Sequence, residues 1–241
     1  MIAMSHPRYQ RLVKALRLEQ PDDLIPWYGG CLSNAHHITG RPVITNDDFA
    51  RADSRAKLEQ LIGQAADDLI QIAETLDYSL IMVFAPFDGA AHLELVARLR
   101  RRVDGRFMIG SWIGGGLLTI PGGHVLESFC YRLCDDPAGV HAEARGLLDR
   151  ANAWGRRCLD AGSELLILAN DIAFNPGPFL SPAHFAEFIQ PCLNEHVACL
   201  KSAGAWVVFH SDGNLTPILE PIVASGIHGL ISLICGRRRI M

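Results

Sequence analysis

VVFHSDGN, residues Val207–Asn214, decides how the chain is read. The apolar run Trp206–Phe209 stops abruptly at His210, Ser211, Asp212, Gly213 and Asn214. A buried strand that ends in a polar, glycine-bearing turn, with a helix starting near Thr216-Pro217, is one step of a parallel α/β protein. In such folds the chemistry sits in the loops at the carboxyl ends of the strands. The rest of the chain then reads as a scaffold carrying this loop and four or five others like it.

Working outward, the same step recurs. YSLIMVF (Tyr78–Phe84), RFMIGSW (Arg106–Trp112) and ELLILA (Glu164–Ala169) are apolar runs, the pattern of strands buried on both faces. Leu24–Tyr28 and Ile227–Leu233 read as a first and a last strand. Between them lie helical stretches. Residues 5–18 and 54–76 repeat apolar positions at helical spacing, and 90–103, 124–134 and 217–225 read likewise. The long helix Pro137–Ala161 has Asp135 or Asp136 as its cap and Gly162 as its stop, and Ser181-Pro182 opens another that ends at Gly204. Residues 31–53 and 170–180 read as irregular loops.

Even alternation of strand and helix predicts an α/β fold with a parallel sheet and right-handed crossovers. A (β/α)8 TIM-barrel type is expected, because the first strand is followed by no dinucleotide-binding glycine fingerprint. The glycines of Gly110–Gly116 lack the Lys-Ser/Thr of a phosphate loop. Six βα units are found where a barrel has eight strands, so the barrel is expected to be incomplete. Residues 1–241 are read as one domain, with no linker. Strand edges left open would favour association with a second copy, a homodimer, or cause instability.

The composition narrows the partners. With 49% hydrophobic and 20% charged residues the chain has an ordinary globular make-up. A net charge of −4, and no basic block before Arg237–Arg239, argues against a nucleic-acid surface. No run approaches the length of a membrane span, and no signal peptide is evident. Seven scattered cysteines without a C-x-x-C pair fit a reducing, cytoplasmic setting better than a disulfide framework.

The polar loops offer the candidate site. His210 and Asp212 stand two apart at a strand end. As plain structure, Asp212 caps the next helix or makes an Asx turn with Gly213-Asn214, and His210 is an oriented rim residue. As chemistry, His210 is a proton donor and acceptor, because imidazole titrates near neutrality, or a ligand with Asp212 for zinc or another divalent ion. That pair would need a third ligand from another loop. Asn170-Asp171 is either a loop and cap pair or an amide and a carboxylate placed in the cleft beside His210. Trp112, with Gly114–Gly116, would form a wall and a flap, and Trp27 and Tyr28 an aromatic floor for a flat ligand; core packing is the alternative for all three aromatics. His36-His37 reads as surface, and Cys192 and Cys199 as small buried residues.

At three places the chain resembles the uroporphyrinogen decarboxylase superfamily, which includes cobamide-dependent methyltransferases built on a (β/α)8 barrel. MIGSWIGGGL (108–117) resembles the strand and loop that opens the family's cleft. ELLILANDIAF through LSPAHFAEFIQP (164–191) resembles its strand, polar loop and Ser-Pro-x-x-Phe helix. FHSDGNLTPILEPIVASGIHGL (209–230) resembles its histidine loop and the helix and strand that follow. The chain departs from the pattern at four points. Trp27-Tyr28-Gly29-Gly30-Cys31 stands where decarboxylases carry an arginine-rich turn, and Asp88 lies slightly after the position of their aspartate. Their tyrosine position falls near Cys134, with Tyr131 one turn earlier, and His210-Ser211-Asp212 replaces the methyltransferases' His-x-Cys. Family barrels continue further, so a C-terminally truncated barrel is expected.

The resemblance implies two activities. One is decarboxylation of tetrapyrrole acetate side chains in porphyrin biosynthesis. It needs no cofactor; Asp171 or Asp88 would steady the protonated pyrrole and His210 would relay protons. The other is a zinc-dependent methyltransferase moving a methyl group between a methylated small molecule, a corrinoid and a thiol, with zinc on His210 and Asp212. An inactive fragment or ligand-binding barrel is the third expectation. In either activity His210, Asp171 and Asp212 are the expected catalytic residues, and Trp27, Tyr28, Asp88, Trp112 and Asn170 the expected substrate contacts.

Overall fold

A computed structural model describes residues 6–21 and 35–231. Trp27, Tyr28 and the strand expected at 24–28 lie outside the described residues. The elements run α1 (Pro7–Leu16), α2 (Ala35–Thr39), α3 (Asn46–Ala50), α4 (Arg55–Thr75), β1 (Leu80–Val83), α5 (Gly89–Val103), β2 (Met108–Gly114), α6 (Gly123–Asp135), α7 (Pro137–Ala161) and β3 (Leu165–Ala169). They continue through the short strands β4 (Ala173–Phe174) and β5 (Gly177–Pro178) to α8 (Pro182–His184), a π-helical turn Phe185–Ile189 and α9 (Gln190–Ser202). Then come β6 (Trp206–His210), a 3-10 turn Thr216–Ile218, α10 (Leu219–Ala224) and β7 (Gly229–Ile231). Among the described residues the main sheet is five-stranded in the order β1-β2-β3-β6-β7, with parallel pairing between β1 and β2 and between β6 and β7. This is the expected α/β alternation of the barrel type. By contacts the chain divides into two compact units, Met1–Trp112 with Arg157–Leu166, and Ile113–Arg156 with Ile167–Met241.

In the first unit, β1 and β2 alternate their side chains between two faces. Ile81, Val83 and Ile109 point into a layer of Ile62, Ala66 and Ile70 from α4 and Leu95 and Leu99 from α5. Each of the isoleucine, leucine and valine side chains contributes about 1.5–3 kcal/mol on burial. A polar chain is sealed in the same unit. His92 Nδ1 lies 2.8 Å from the Pro86 carbonyl, which can only accept, so Nδ1 carries the proton. Nε2, 2.8 Å from Ser111 Oγ, then accepts from the serine, and Ser111 in turn meets Ser163 Oγ at 2.6 Å. Burial keeps His92 neutral by lowering its pKa, and burial pushes the Cys158 thiol up to about 11. Glu164, just before β3, accepts from Tyr9 Oη at 2.8 Å and from Arg100 at 2.8 Å, which fastens α1 to the start of the strand. Burial raises the Glu164 pKa in spite of Arg100.

In the second unit, α7 presents Val140, Ala144, Leu148 and Ala151 to the core, α9 presents Leu193, Val197 and Leu200, and β6 buries Val207, Val208 and Phe209. Helix starts follow the sequence. Ser181 accepts from the His184 amide, Asp136 from the Gly139 amide, and in the first unit Ser54 from the Lys57 amide. Three details differ from the expected elements. Residues 31–53 contain the short helices α2 and α3, the latter started by a Thr45/Asp48 capping box. The loop 170–180 contains the β4–β5 hairpin. The helix from Ser181 passes through a π turn before α9. Each is a local hydrogen-bonding arrangement too short to leave a periodic signal.

Candidate functional site

Asp171, His210 and Asp212 all belong to the second unit, and the local fold brings them together. His210 is the last residue of β6, and Asp171 follows β3 by one residue. The two strand ends are stitched by the Asn170 amide donating to the His210 carbonyl at 3.0 Å. Along each strand, alternate side chains share a face. His210 and Asp212 therefore point one way, and Ser211 between them points the other. Ser211 is fully buried; its Oγ accepts from the Ile172 amide at 3.0 Å and donates to the Asp212 carbonyl at 2.9 Å. That serine locks the two loops in register.

The resulting geometry is compact. His210 Nε2 lies 3.6 Å from Asp171 Oδ1, and Asp171 Oδ1 accepts from the Asp212 amide at 3.1 Å. One ligand atom from each of Asp171, His210 and Asp212 lies within 4.8 Å of the others. The imidazole is mostly covered, at 15% exposed, whereas the Asp171 side chain is 56% exposed. Asp212 does not cap the next helical turn, whose N-cap is Leu215 without a side-chain cap bond; the Thr216 amide donates to Asn214 Oδ1 at 3.1 Å, closing a local turn. The Asp212 carboxylate is thus left for the cluster. Two carboxylates this close repel each other, and a cation between them offsets the repulsion.

The donor set fits a divalent ion. Two ligands about 2.0–2.2 Å from a tetrahedral zinc stand roughly 3.4 Å apart, close to the 3.6 Å between His210 Nε2 and Asp171 Oδ1. One imidazole with two carboxylates is a borderline-to-hard set suited to zinc and its divalent neighbours. Asp171 stands where a third ligand from another loop would have to come from.

Gly213 makes this turn possible. It sits at φ +88, and a Cβ on it would come within 2.2 Å of the Ala173 carbonyl oxygen. The β4–β5 hairpin closes against the same loop, the Asn214 amide donating to the Phe174 carbonyl at 2.9 Å. Asn170 is 1% exposed, and its Oδ1 accepts from the Leu117 amide at 3.2 Å, while the Ile120 amide donates to the Asp171 carbonyl at 3.0 Å. The loop after β2 is in this way pinned beside Asp171.

The other expected residues fall elsewhere. Asp88, in the first unit, is exposed at the N-cap of α5 and makes no side-chain cap bond. Trp112, half-buried in the same unit, packs 5.6 Å from the Phe84 ring. His36 and His37 place their rings 3.8 Å apart in α2. Cys192 is buried, and burial raises its pKa. Ser211 carried no distinguishing signal within its loop, and neither did His196. His196 is fully buried on α9, with Nδ1 2.7 Å from Asn152 Oδ1, and burial lowers its pKa to about 4. A Cβ on Gly116 would stand 2.8 Å from its Nε2, so Gly116 is the glycine of the run after β2 that packs closely against this histidine.

Among solved structures, a methyltransferase from Methanosarcina mazei superposes on 94% of this chain and 76% of its own length with a TM-score of 0.60. At 15% identity that likeness shows the fold alone. A protein from Thermus thermophilus soaked with ZnCl2 overlaps 68% of this chain and 61% of its own, at 16% identity and a TM-score of 0.41, too partial to argue from. No curated protein matches the chain in sequence. No helix among the described residues is long and apolar enough to cross a membrane. The family model for uroporphyrinogen decarboxylase (URO-D) matches residues 71–233, more than half of the chain and both loops that build the cluster. The chain therefore belongs to the uroporphyrinogen decarboxylase family, a family of enzymes.

Proposed function

We propose that the chain is a metal-dependent methyltransferase of this family, passing a methyl group between a methylated small molecule, a corrinoid and a thiol. The observation that carries the reading is the convergence of Asp171, His210 and Asp212 within 4.8 Å. The structural neighbour from Methanosarcina mazei is a methyltransferase, which agrees with it. Asp171, His210 and Asp212 would hold the ion, zinc being the first choice. Bound there, a divalent cation supplies Lewis acidity that turns a coordinated thiol into a thiolate near neutral pH. Ser211 and Asn170 keep the ligand-bearing loops in register. Of the expected substrate contacts, Asn170 belongs to the same unit as the cluster, and the five described cysteines, all free, suit a reducing cytoplasm.

Decarboxylation of tetrapyrrole acetate groups is the second reading, favoured by the family description. There Asp171 would steady a protonated pyrrole and His210, 3.6 Å away, would relay the proton. One pair of assays separates the two. With zinc, methylcobalamin and a simple thiol, demethylation of the corrinoid is expected, falling at least about 100-fold in His210→Ala and Asp171→Ala. Release of CO2 from uroporphyrinogen by metal-free protein, without corrinoid demethylation, would replace the first reading by the second.

A further inference from the structure

Within the second unit, beside α6, lies a half-open cavity of about 490 Å³ whose lining includes none of Asp171, His210 and Asp212. Its walls are the loop after β2, α6 and α7, with Leu117, Leu118, Val125, Phe129 and Leu147 as the large apolar residues. The volume falls in the range of sites that take small molecules, roughly 300–1,000 Å³.

Two features say what the cavity suits. Arg132 on α6 donates to Glu143 on α7 at 2.8 Å, and both residues line the cavity. The two charges cancel, so the lining favours neither an anion nor a cation. Hydroxyls of Thr119 and Ser128 leave a few polar points among apolar walls. The roof is also loosely seated. Of the 13 residues of α6 only Phe129 and Leu133 are buried, and Val125 is 40% exposed. The helix is held across the cavity by the Arg132–Glu143 pair and by Phe129 packing 6.1 Å from Phe179. Filling such a space restores dispersion contacts that its lining now lacks.

We propose that this cavity is a second binding site, for an uncharged and largely apolar small molecule of one or two rings, with α6 as its movable cover. The site stands independently of the metal reading. It does share a wall with the cluster, since Leu117 and Ile120 of that wall bond to Asn170 and to the Asp171 carbonyl.

The test is a fluorescence titration with N-phenyl-1-naphthylamine, a neutral probe that brightens in apolar surroundings, on zinc-free and zinc-loaded protein in parallel. Saturable enhancement at one probe per chain is expected in both. Leu147→Trp should fill the cavity and Val125→Glu should place a charge in it; Leu147 is half-buried and Val125 exposed, so neither change enters the core. Each should weaken the probe at least about tenfold. No saturable enhancement, or equal binding by wild type and both variants, overturns the proposal. Probe binding by a protein that takes up no zinc would leave this site standing and sink the metal reading alone.

Discussion

At the residue scale, His196 makes the sharpest prediction outside the candidate site. Burial lowers its pKa from 6.5 to about 4. The unfolded chain then binds a proton that the folded chain refuses, so this contribution to stability is complete above pH 6.5 and is lost as pH falls toward 4. The loss is about 3 kcal/mol, at 1.36 kcal/mol per pKa unit. Denaturation of the wild type and of His196→Asn, which keeps a donor toward Asn152, should show a wild-type excess slope confined to that window. Parallel pH profiles for the two proteins would contradict the assignment. Gly213→Ala should destabilise by about 1–3 kcal/mol, because the added Cβ meets the Ala173 carbonyl in a left-handed turn; an unchanged melting temperature would show that the turn relaxes. The chemistry of residues 207–214 was legible as a type of loop, but the division of labour inside it was not. Sequence left Asp212 open between cap and ligand. Only the hydrogen bond from the Thr216 amide to Asn214 shows that the asparagine, and not Asp212, makes the local turn into the next element.

At the element scale, the long apolar runs and the long helices were readable because burial on both faces and helical spacing each leave a pattern many residues wide. The helix expected over Pro137–Ala161 is α7 to the residue. Short arrangements were not readable. The hairpin Ala173–Pro178 is held in part by another segment, the Asn214 amide on the Phe174 carbonyl, and the π turn Phe185–Ile189 is only five residues long. Stability should be uneven among these elements. With only two buried residues, α6 has little holding it, whereas β3 and β6 are buried almost throughout. Hydrogen exchange should accordingly run at least about tenfold faster in the middle of α6 than in β3 and β6. Equal protection would mean that α6 is held by more than the ion pair and the aromatic contact.

At the scale of the whole molecule, the chain is an α/β protein of the uroporphyrinogen decarboxylase family, and its candidate site is assembled from loops about forty residues apart in sequence. That distance is why Asp171 could be suspected beside His210 from the barrel's geometry but recognised as a partner only once the strand ends were in place. A cation bound by the folded chain alone would also stabilise it, by about 2.7 kcal/mol at a free concentration of 100 times Kd. The central claim is that Asp171, His210 and Asp212 form one divalent-ion site, and isothermal titration of zinc into the 241-residue chain tests it most directly. One zinc per chain is predicted, with affinity falling at least about 100-fold in His210→Ala and in Asp171→Asn. No zinc uptake by the wild type, or uptake undiminished in His210→Ala, would contradict it.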